Sequence, residues 1–528
     1  MKSLMKKVFS AAAAIATVFG LAATTVATAN AADNATLTVS TTDAKFAGKT
    51  VNAYKMFSAT VSGDGKAVSY TLTDEWKPFF KNSVGLTGVT DENVNDKAND
   101  YVSKLKDSTL VAFATKASNW AQTKANNITA DATATVSADA SNGKYTATFT
   151  GLGYGYYVVA VPGATLANAK SQYATLVSVH STKVDADIKG DLPTVDKKVQ
   201  VDGTGKDATD AKIGDTLTFT LTSTIPDMSA YDTYTFNFKD TLSKGLTFGQ
   251  VKSVKVENVT LTENTDYTVT TPTASNNNTL TVAMKDFKTK QQANAGKKIT
   301  VTYTATLNEN AVVGGAGNVN SAKIQYSNNP STNGTGESEP SKVRVFTYGF
   351  TVDKYTGDQY TDAATRLAGA EFTLAHKDGS AISFVQVSAG SATANAVYRV
   401  AKAGETGTTT ITTPANGKVV FEGLKNGEYT LTETKAPAGY NKLASAIGVK
   451  VNGQNNGTDT TNATVTITYN NDNGNDYNQT ASNGVIPVQN KSGAILPGTG
   501  GMGTIAFTVI GVLVIALGVA WTLKRKNA

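Results

Sequence analysis

The side chains that most often carry out chemistry in proteins are scarce in this sequence. Its 528 residues include no cysteine, and the two histidines, His180 and His376, are far apart in the chain. Such spacing argues against a His-based metal site and against a Ser-His-Asp triad. We therefore predict no metal, no cofactor and no multi-turnover enzyme. The remaining chemical candidates are lysines, asparagines and carboxylates on predicted strands, together with a short motif near the C-terminus.

The C-terminal motif is Leu496-Pro497-Gly498-Thr499-Gly500. It is followed by an apolar run over residues 502–523 and then by three basic residues, Lys524-Arg525-Lys526. About 20 apolar residues can span the hydrocarbon of a bilayer, and basic residues typically mark the cytoplasmic end of such a segment. We therefore predict a transmembrane segment at 502–523, within a C-terminal region of residues 496–528.

The N-terminus is typical of an exported protein. A charged start is followed by an apolar, Ala-rich run and by the small-residue site Ala29-Asn30-Ala31. This pattern predicts a secretory signal peptide over residues 1–31, which leaves a mature chain beginning near Asp33. The formal net charge of +6 equals the number of basic residues in the two terminal segments, which contain no acid. The mature chain is therefore near neutral, and its charge gives no reason to expect a nucleic-acid partner.

Between these segments the sequence alternates polar and apolar residues over short runs separated by Gly, Asn and Asp turns. Examples of such runs are Leu37–Ser40, Val68–Leu72, Lys144–Phe149 and Thr216–Leu221. Repeated short strands of this kind predict all-β sandwich domains. Residues 91–125 instead have helical spacing, which predicts one or two helices inserted in the first domain.

We divide the mature chain into three domains, 33–188, 189–345 and 346–493. The first and third share the pattern Gly-Leu-x-x-Gly-x-Tyr, at Gly151–Tyr157 and Gly423–Tyr429. We interpret each copy as a strand-turn-strand hairpin and the two domains as related sandwiches. The middle domain lacks the pattern, which indicates a second type of sandwich.

The segment Tyr429–Tyr440, which reads Tyr-Thr-Leu-Thr-Glu-Thr-Lys-Ala-Pro-Ala-Gly-Tyr, resembles the E-box of sortase-assembled pilins. The strand Leu367–Leu374 resembles part of the same CnaB-type module, and the C-terminal region resembles an LPXTG cell-wall sorting signal. With the three-domain layout, the mature chain resembles the major (shaft) pilins of Gram-positive fimbriae, such as SpaA-like and type-2 fimbrial subunits. The resemblance implies tandem Ig-like domains of the CnaA and CnaB types.

The resemblance also implies internal Lys–Asn isopeptide bonds. Burial in an apolar core lowers the pKa of a lysine and raises that of a carboxyl group. A neutral amine can then attack an Asn carboxamide while the protonated acid polarises its carbonyl, and ammonia is lost. Such a cross-link would stabilise an exported chain that has no disulfides.

The candidate residues for these bonds lie in the middle and third domains. In the third domain they are Lys354 on the first strand, Asn490 on the last strand and Glu433 as the E-box acid. In the middle domain they are Lys197 as the amine and Asp240 as the acid. There the amide is Asn320 or Asn318, which share a strand face. The first domain has Lys55 on an early strand but no matching late-strand Asn, so we predict no bond there.

The resemblance further implies that a pilin-specific sortase cuts between Thr499 and Gly500. The Thr499 carbonyl then passes to a lysine of the next identical subunit. Shaft pilins use a lysine before the second domain, in a motif ending Tyr-Pro-Lys. Here Asp187-Ile188-Lys189 occupies that place without the Tyr-Pro pair, so Lys189 is the candidate acceptor and Lys183 its competitor.

The implied partners are thus identical subunits, the pilin-specific and housekeeping sortases, minor tip and basal pilins and peptidoglycan. The implied location is the cell wall, after secretion and transient membrane anchoring. A shaft is compatible with a host glycan or matrix ligand, although no residue identifies one. Rival interpretations are a minor pilin and a monomeric wall-anchored adhesin. The loop Asn470–Asp476 fits no metal-loop spacing and is interpreted as a turn.

Overall fold

The computed structural model describes residues 34–63, 65–139, 143–165, 174–330, 332–358, 362, 365–454, 464–471, 476–493 and 502–526. The predicted signal peptide and the motif Leu496–Gly500 lie outside these residues. Across the described ranges the chain is built mainly of strands, which confirms the all-β fold class. It forms two compact units, with the division between Thr347 and Tyr348. The boundaries of the three predicted domains remain predictions.

In the N-terminal part of the first unit two sheets are described. Their strands are β1 (Ala35–Thr41), β2 (Thr50–Val61), β3 (Val68–Leu72), β4 (Ala132–Thr135), β5 (Ser137–Asp139), β6 (Lys144–Leu152), β7 (Gly155–Ala160), β8 (Ala174–Val179) and β9 (Lys183–Asp187). Sheet 1 has the order β5-β6-β1-β9, and sheet 2 has the order β3-β2-β7-β8 with β4 paired to β2. The strand β9 runs parallel to β1, so the chain leaves this region beside the strand with which it begins.

The predicted helical insertion is confirmed. Three helices, α1 (Lys77–Asn82), α2 (Val94–Ser103) and α3 (Asp107–Gln122), lie between β3 and β4. Phe79 and Phe80 of α1 and Phe113 of α3, together with Trp76 just before α1, are buried against sheet 2. The sequence spacing predicts α2 and α3 but not α1, whose Pro78 stands at the first turn where proline is tolerated.

The rest of the first unit is a second sandwich. Its elements are β10 (Asp196–Val201), β11 (Thr204–Lys206), β12 (Ala208–Asp210), β13 (Thr216–Thr224), β14 (Phe236–Leu242), β15 (Leu246–Val256), β16 (Val259–Thr260), β17 (Tyr267–Thr270), β18 (Thr279–Met284), α4 (Phe287–Gln291), β19 (Lys298–Leu307), β20 (Asn318–Ser327), β21 (Thr335–Glu337) and β22 (Ser341–Phe346). Sheet 3 has the order β11-β10-β13-β19-β15-β16. Sheet 4 has the order β12-β22-β20-β14-β18-β17, with β21 paired to β20. Alternate residues of the long strands are buried, as expected for strands with one face in a core.

The second unit contains a third sandwich. Its strands are β23 (Tyr348–Tyr355), β24 (Glu371–His376), β25 (Phe384–Ser388), β26 (Ala396–Val400), β27 (Ile411–Thr412), β28 (Lys418–Leu424), β29 (Gly427–Lys435), β30 (Ile447–Gln454), β31 (Thr464–Asn470), β32 (Gln479–Thr480) and β33 (Val485–Gln489). Sheet 5 has the order β25-β26-β28-β23-β33, and sheet 6 has the order β27-β24-β29-β30-β31-β32. The first and last strands of the unit, β23 and β33, are parallel neighbours.

The two predicted hairpins are wrong. Strands β6 and β7 belong to sheets 1 and 2, and strands β28 and β29 belong to sheets 5 and 6, so each Gly-Leu-x-x-Gly-x-Tyr segment carries the chain from one sheet to the other. A hairpin would require the two strands to pair with each other. The crossing needs a sharp change of backbone direction, and Gly151 and Gly423 supply it with φ values of 73° and 84°.

In each of these crossings, the hydroxyl of a buried tyrosine donates a hydrogen bond to a backbone carbonyl of the crossing segment. The Tyr157 hydroxyl donates to the Gly153 carbonyl at 2.6 Å, and the Tyr429 hydroxyl donates to the Lys425 carbonyl at 2.7 Å. This is the hydrogen bond of a tyrosine corner, which fixes the crossing between two sheets of a sandwich. The repeated sequence pattern therefore encodes a shared structural device, although the device is a crossing between sheets.

The apolar run near the C-terminus is helical, and α5 covers Met502–Lys526. In the part of the chain that the structure describes, no helix is long and apolar enough to cross a membrane. The predicted transmembrane segment at 502–523 is therefore not confirmed.

Candidate functional site

The middle sandwich buries a charged lysine at its centre. Lys197 is the second residue of β10, and its side chain is 0 % exposed. Strand alternation places it on the inner face with Val199. The adjacent Lys198 points outward and pairs with Asp207, its Nζ 2.6 Å from Oδ1. Lys197 is thus held inside by the register of β10 in sheet 3.

The predicted acid and amide come from the opposite sheet. Asp240 is on β14 and Asn320 on β20, neighbouring antiparallel strands of sheet 4, and both side chains are fully buried. The Lys197 ammonium contacts the Asp240 carboxylate directly. The structure thus brings the amine of sheet 3 to the acid of sheet 4, on the same inner face that carries Asn320.

A tyrosine that the sequence analysis missed connects these three residues. The Tyr303 hydroxyl accepts from Lys197 Nζ at 2.9 Å and from Asn320 Nδ2 at 2.6 Å, and it donates to Asp240 Oδ2 at 2.5 Å. Tyr303 is on β19, where residues 299, 301, 303, 305 and 307 are all buried. Alternation predicts that its ring faces the core, but no sequence signal indicates where the hydroxyl would find partners.

The surroundings of Lys197 make its amine easier to deprotonate than that of an ordinary lysine. Burial lowers the pKa of Lys197 to about 8, although the charge of Asp240 and its hydrogen bond act in the opposite direction. The rings of Phe219 and Tyr303, stacked with centroids 5.4 Å apart, lie 5.1 and 5.2 Å from Nζ. These rings exclude water from the amine and leave Asp240 and Tyr303 to accept its protons.

Asn318, the alternative amide, has a different role in the structure. It is buried on the same face of β20 as Asn320. Its Oδ1 accepts from the Val312 amide at 2.9 Å, and its Nδ2 donates to the carbonyls of Val312 and Val345 at 3.2 and 3.1 Å. Asn318 therefore holds backbone groups, whereas Asn320 contacts the cluster that includes Lys197.

The third sandwich contains a second buried cluster of the same composition. Lys354 on β23, Glu433 on β29 and Asn490 directly after β33 are 0, 2 and 1 % exposed. Lys354 Nζ lies 3.6 Å from Glu433 Oε1 and donates to the Val488 carbonyl at 3.1 Å. Asn490 Nδ2 donates to Glu433 Oε2 at 3.0 Å. Here the acid contacts both nitrogens without an intervening hydroxyl.

Backbone register and backbone hydrogen bonds fix the second cluster. Lys354 is paired with Val488 in the parallel β23–β33 ladder. The backbone N–H of Asn490 donates to the Tyr355 carbonyl at 3.0 Å. Glu433 reaches the pair from sheet 6, where its Oε2 also accepts from the Leu443 amide at 2.8 Å. Burial lowers the pKa of Lys354 to about 8, while Glu433 acts against this change.

Both clusters share an unusual hydrogen-bonding feature. Among the described residues, Oδ1 of each amide (Asn320 and Asn490) and one oxygen of each acid (Asp240 Oδ1 and Glu433 Oε1) are buried without a hydrogen-bond partner. An unsatisfied buried acceptor is costly. Each cluster thus brings together an amine, a carboxyl group and an amide carbonyl that has no other partner, the three groups that amide condensation requires.

The two candidate acceptor lysines lie at the end of the first sandwich. Lys189 follows β9, and its Nζ is 3.0 Å from Asp187 Oδ2 with 35 % of the side chain exposed. Lys183 opens β9 and is exposed beside Thr36 of β1. Lys183 is exposed and Lys189 half-buried, and the choice between them stays a prediction.

Two family models match segments of the chain. Residues 213–330 match the Gram-positive pilin backbone subunit 2, Cna-B-like domain, and residues 358–466 match the SpaA prealbumin-like fold domain. The chain thus carries a pilin-backbone domain and a SpaA-type domain, which confirms the resemblance for these two segments. The first segment contains Asp240, Tyr303 and Asn320, and the second contains Glu433.

Known proteins and structures are also similar to this chain. The trypsin-resistant surface T6 protein of Streptococcus pyogenes serotype M6 is 26 % identical over 279 residues, which cover 48 % of this chain and 44 % of that protein. The chain therefore matches less than half the length of this relative. The structure of the T6 backbone pilin from the same organism is 20 % identical to this chain. The alignment covers 80 % of this chain and 83 % of the pilin chain, with a TM-score of 0.45. A C-terminal fragment of the major pilin GBS80 of Streptococcus agalactiae is 24 % identical over 57 % of this chain and 100 % of its own, with a TM-score of 0.40.

Proposed function

We propose that this chain, which carries a pilin-backbone domain and a SpaA-type domain, is the shaft subunit of a covalently polymerised fimbria on a Gram-positive cell surface. The observation that carries the proposal is the pair of buried Lys–acid–Asn clusters in consecutive sandwiches. In the proposal, Lys197 is joined to Asn320 and Lys354 to Asn490 by isopeptide bonds, with Asp240 and Glu433 as the promoting acids.

The position of the second cluster supports a mechanical role. Lys354 lies near the end of β23, and Asn490 directly follows β33, the parallel neighbour of β23. A tensile force that enters the sandwich at β23 and leaves after Asn490 would pass through a Lys354–Asn490 bond. Residues 355–489 would then carry no load, so the sandwich could not be pulled open while the covalent bond remained intact.

The first cluster joins the two sheets of its sandwich. Lys197 belongs to sheet 3 and Asn320 to sheet 4, so their bond would prevent the sheets from separating. A covalent link between distant residues also reduces the conformational entropy of the unfolded chain, as a disulfide does. In an exported protein without cysteine, the proposed isopeptide bonds would take the stabilising role of disulfides.

For polymerisation, a pilin-specific sortase is proposed to cut between Thr499 and Gly500 and to join Thr499 to Lys189 of the next subunit. A housekeeping sortase would join the last subunit to peptidoglycan. The residue order Leu496-Pro497-Gly498-Thr499-Gly500 and the accessible Lys189 side chain support this part. The other partners proposed from the resemblance are minor tip and basal pilins.

Expression of the full chain together with a pilin-specific sortase in a Gram-positive host tests the proposal. Wall extracts boiled in detergent and probed with an antibody to the chain should give a ladder of covalent multimers. Lys189→Ala should remove the ladder, and the matched variant Lys183→Ala should keep it. A single wall-linked monomer band in the wild type would contradict a shaft role and favour a monomeric adhesin or a minor pilin.

A further inference from the structure

The hydroxyl of Tyr303 lies between all three groups of the first cluster. Its oxygen accepts two hydrogen bonds, from Lys197 Nζ and Asn320 Nδ2, and its proton is donated to Asp240. These three bonds use the full hydrogen-bonding capacity of a phenol. Structural packing of the ring alone does not require this arrangement, because the ring is already stacked on Phe219.

We propose that Tyr303 is a catalytic residue of the first cluster, carrying a proton from Asp240 to the leaving nitrogen of Asn320 as the Lys197–Asn320 bond forms. The inference rests on the cross-linking function proposed above. It assigns a second protein group to a reaction for which the sequence indicates only one acid.

The difference between the two clusters supports this role. In the second cluster, Glu433 Oε2 contacts the leaving nitrogen Asn490 Nδ2 directly at 3.0 Å. In the first cluster the acid is Asp240, whose side chain is shorter by one methylene. Its Oδ2 is connected to Asn320 Nδ2 through the Tyr303 oxygen, at 2.5 and 2.6 Å. In the first cluster, the Tyr303 hydroxyl therefore connects the acid to the leaving nitrogen. In the second cluster, the longer Glu433 side chain reaches that nitrogen directly.

The proposed step conserves all atoms and protons. Lys197 Nζ first gives one proton to Asp240, which it contacts. The neutral Nζ then attacks Asn320 Cγ, and the new Nζ–Cγ bond forms. As Nδ2 becomes an amine nitrogen, the resting hydrogen bonds of the Tyr303 hydroxyl reverse: Tyr303 gives its proton to Nδ2 and takes the proton held by Asp240, and Asp240 then takes a second proton from Nζ. The Cγ–Nδ2 bond breaks, ammonia leaves, Tyr303 regains its hydroxyl proton, and Asp240 keeps the proton that Lys197 has lost. No oxidant or other reactant is needed.

The test follows bond formation in the mature chain, residues 33–499. The chain is made by cell-free synthesis, quenched in acid at intervals and digested, and the cross-linked peptides are measured by mass. Tyr303→Phe should slow the Lys197–Asn320 bond at least tenfold while the Lys354–Asn490 bond in the same molecules forms at the wild-type rate. Tyr326→Phe is the matched control, since Tyr326 is a buried tyrosine of the same sandwich. It lies six residues beyond Asn320 on β20, about 20 Å along the strand.

A second measurement separates catalysis from packing. In the Asn320→Ala chain, which cannot form the bond, Tyr303→Phe should lower Tm by no more than about 8 °C, because it removes only the hydrogen bonds with Lys197 and Asp240 and retains the ring and its stacking. A wild-type rate for Tyr303→Phe, or a slower rate accompanied by a larger fall in Tm, would overturn the inference and leave the proposed function intact. Absence of the Lys197–Asn320 bond from the wild type would overturn the cross-link itself and the role of Tyr303 with it.

Discussion

Lys197 and Asn320 extend from opposite sheets of one sandwich, and their side-chain nitrogens contact the same atom, the hydroxyl oxygen of Tyr303. A bond between them would therefore join the two sheets. Lys354 and Asn490 belong to neighbouring strands of a single sheet, with Glu433 supplied by the facing sheet. Both clusters combine a lysine, a carboxylic acid and an asparagine, but the two proposed bonds would constrain their sandwiches in different ways.

The acids should control the two bonds independently. Asp240→Ala should abolish the Lys197–Asn320 bond and Glu433→Ala the Lys354–Asn490 bond, because each acid contacts the lysine of its own cluster. Intact mass should show one ammonia loss of about 17 Da in each variant and none in the double variant. Lys198→Ala is a control at the neighbouring position, since Lys198 pairs outside the core. Loss of both bonds in either single variant of a folded chain would contradict independence.

The two asparagines of β20 should behave differently. Asn320→Ala should remove one ammonia loss. Asn318→Ala should keep it but lower the free energy of unfolding by about 1–3 kcal/mol, because backbone groups of Val312 and Val345 lose their partner. Peptide mapping and denaturant titration separate the two effects. A cross-linked peptide that contains Asn318 in place of Asn320 would refute the assignment.

Bond formation should depend on pH through the lysines. The attacking form is the neutral amine, and both lysines have a pKa of about 8 because burial lowers it. The reaction also needs a protonated acid, so the reactive state holds the same number of protons as the resting ammonium–carboxylate pair. Its population should stay nearly constant from pH 6 to pH 7 and fall about tenfold per pH unit once the cluster loses that proton above about pH 8. The rate of bond formation should follow this population. A rate that rises tenfold per pH unit up to pH 8 and then levels off would contradict the need for a protonated acid.

The two tyrosine corners should stabilise their sandwiches without affecting the cross-links. Tyr157→Phe and Tyr429→Phe each remove one hydrogen bond to a backbone carbonyl and keep the ring. Each should lower the free energy of unfolding by about 0.5–1.5 kcal/mol and preserve both ammonia losses. Denaturant unfolding with intact mass checks this, and loss of the Lys354–Asn490 bond in Tyr429→Phe would contradict it.

Strand alternation predicted much of this fold. It predicted the sandwich domains, and the helical spacing of residues 91–125 predicted the helical insertion. The E-box identified Glu433, which the structure places in the second cluster. The resemblance thus singled out two lysines and two acids that the structure places in two clusters, and their roles in cross-linking stay predictions.

Other features depend on contacts that the sequence does not record. The two sheet crossings were misinterpreted as hairpins, since a short Gly-containing connection between two strands is equally compatible with pairing and with crossing. Asn318 and Asn320 share a face, so only their partners distinguish them. Tyr303 is one of several buried aromatic residues. It is distinguished by the hydrogen-bond partners of its hydroxyl, which come from three other strands.

The most direct test of the account is the intact mass of the recombinant mature chain, residues 33–499. Two condensations predict a mass about 34 Da below that calculated from the sequence, with cross-linked peptides joining Lys197 to Asn320 and Lys354 to Asn490. A mass equal to the calculated value in a folded chain would contradict the account, because both clusters would then be unreacted buried groups.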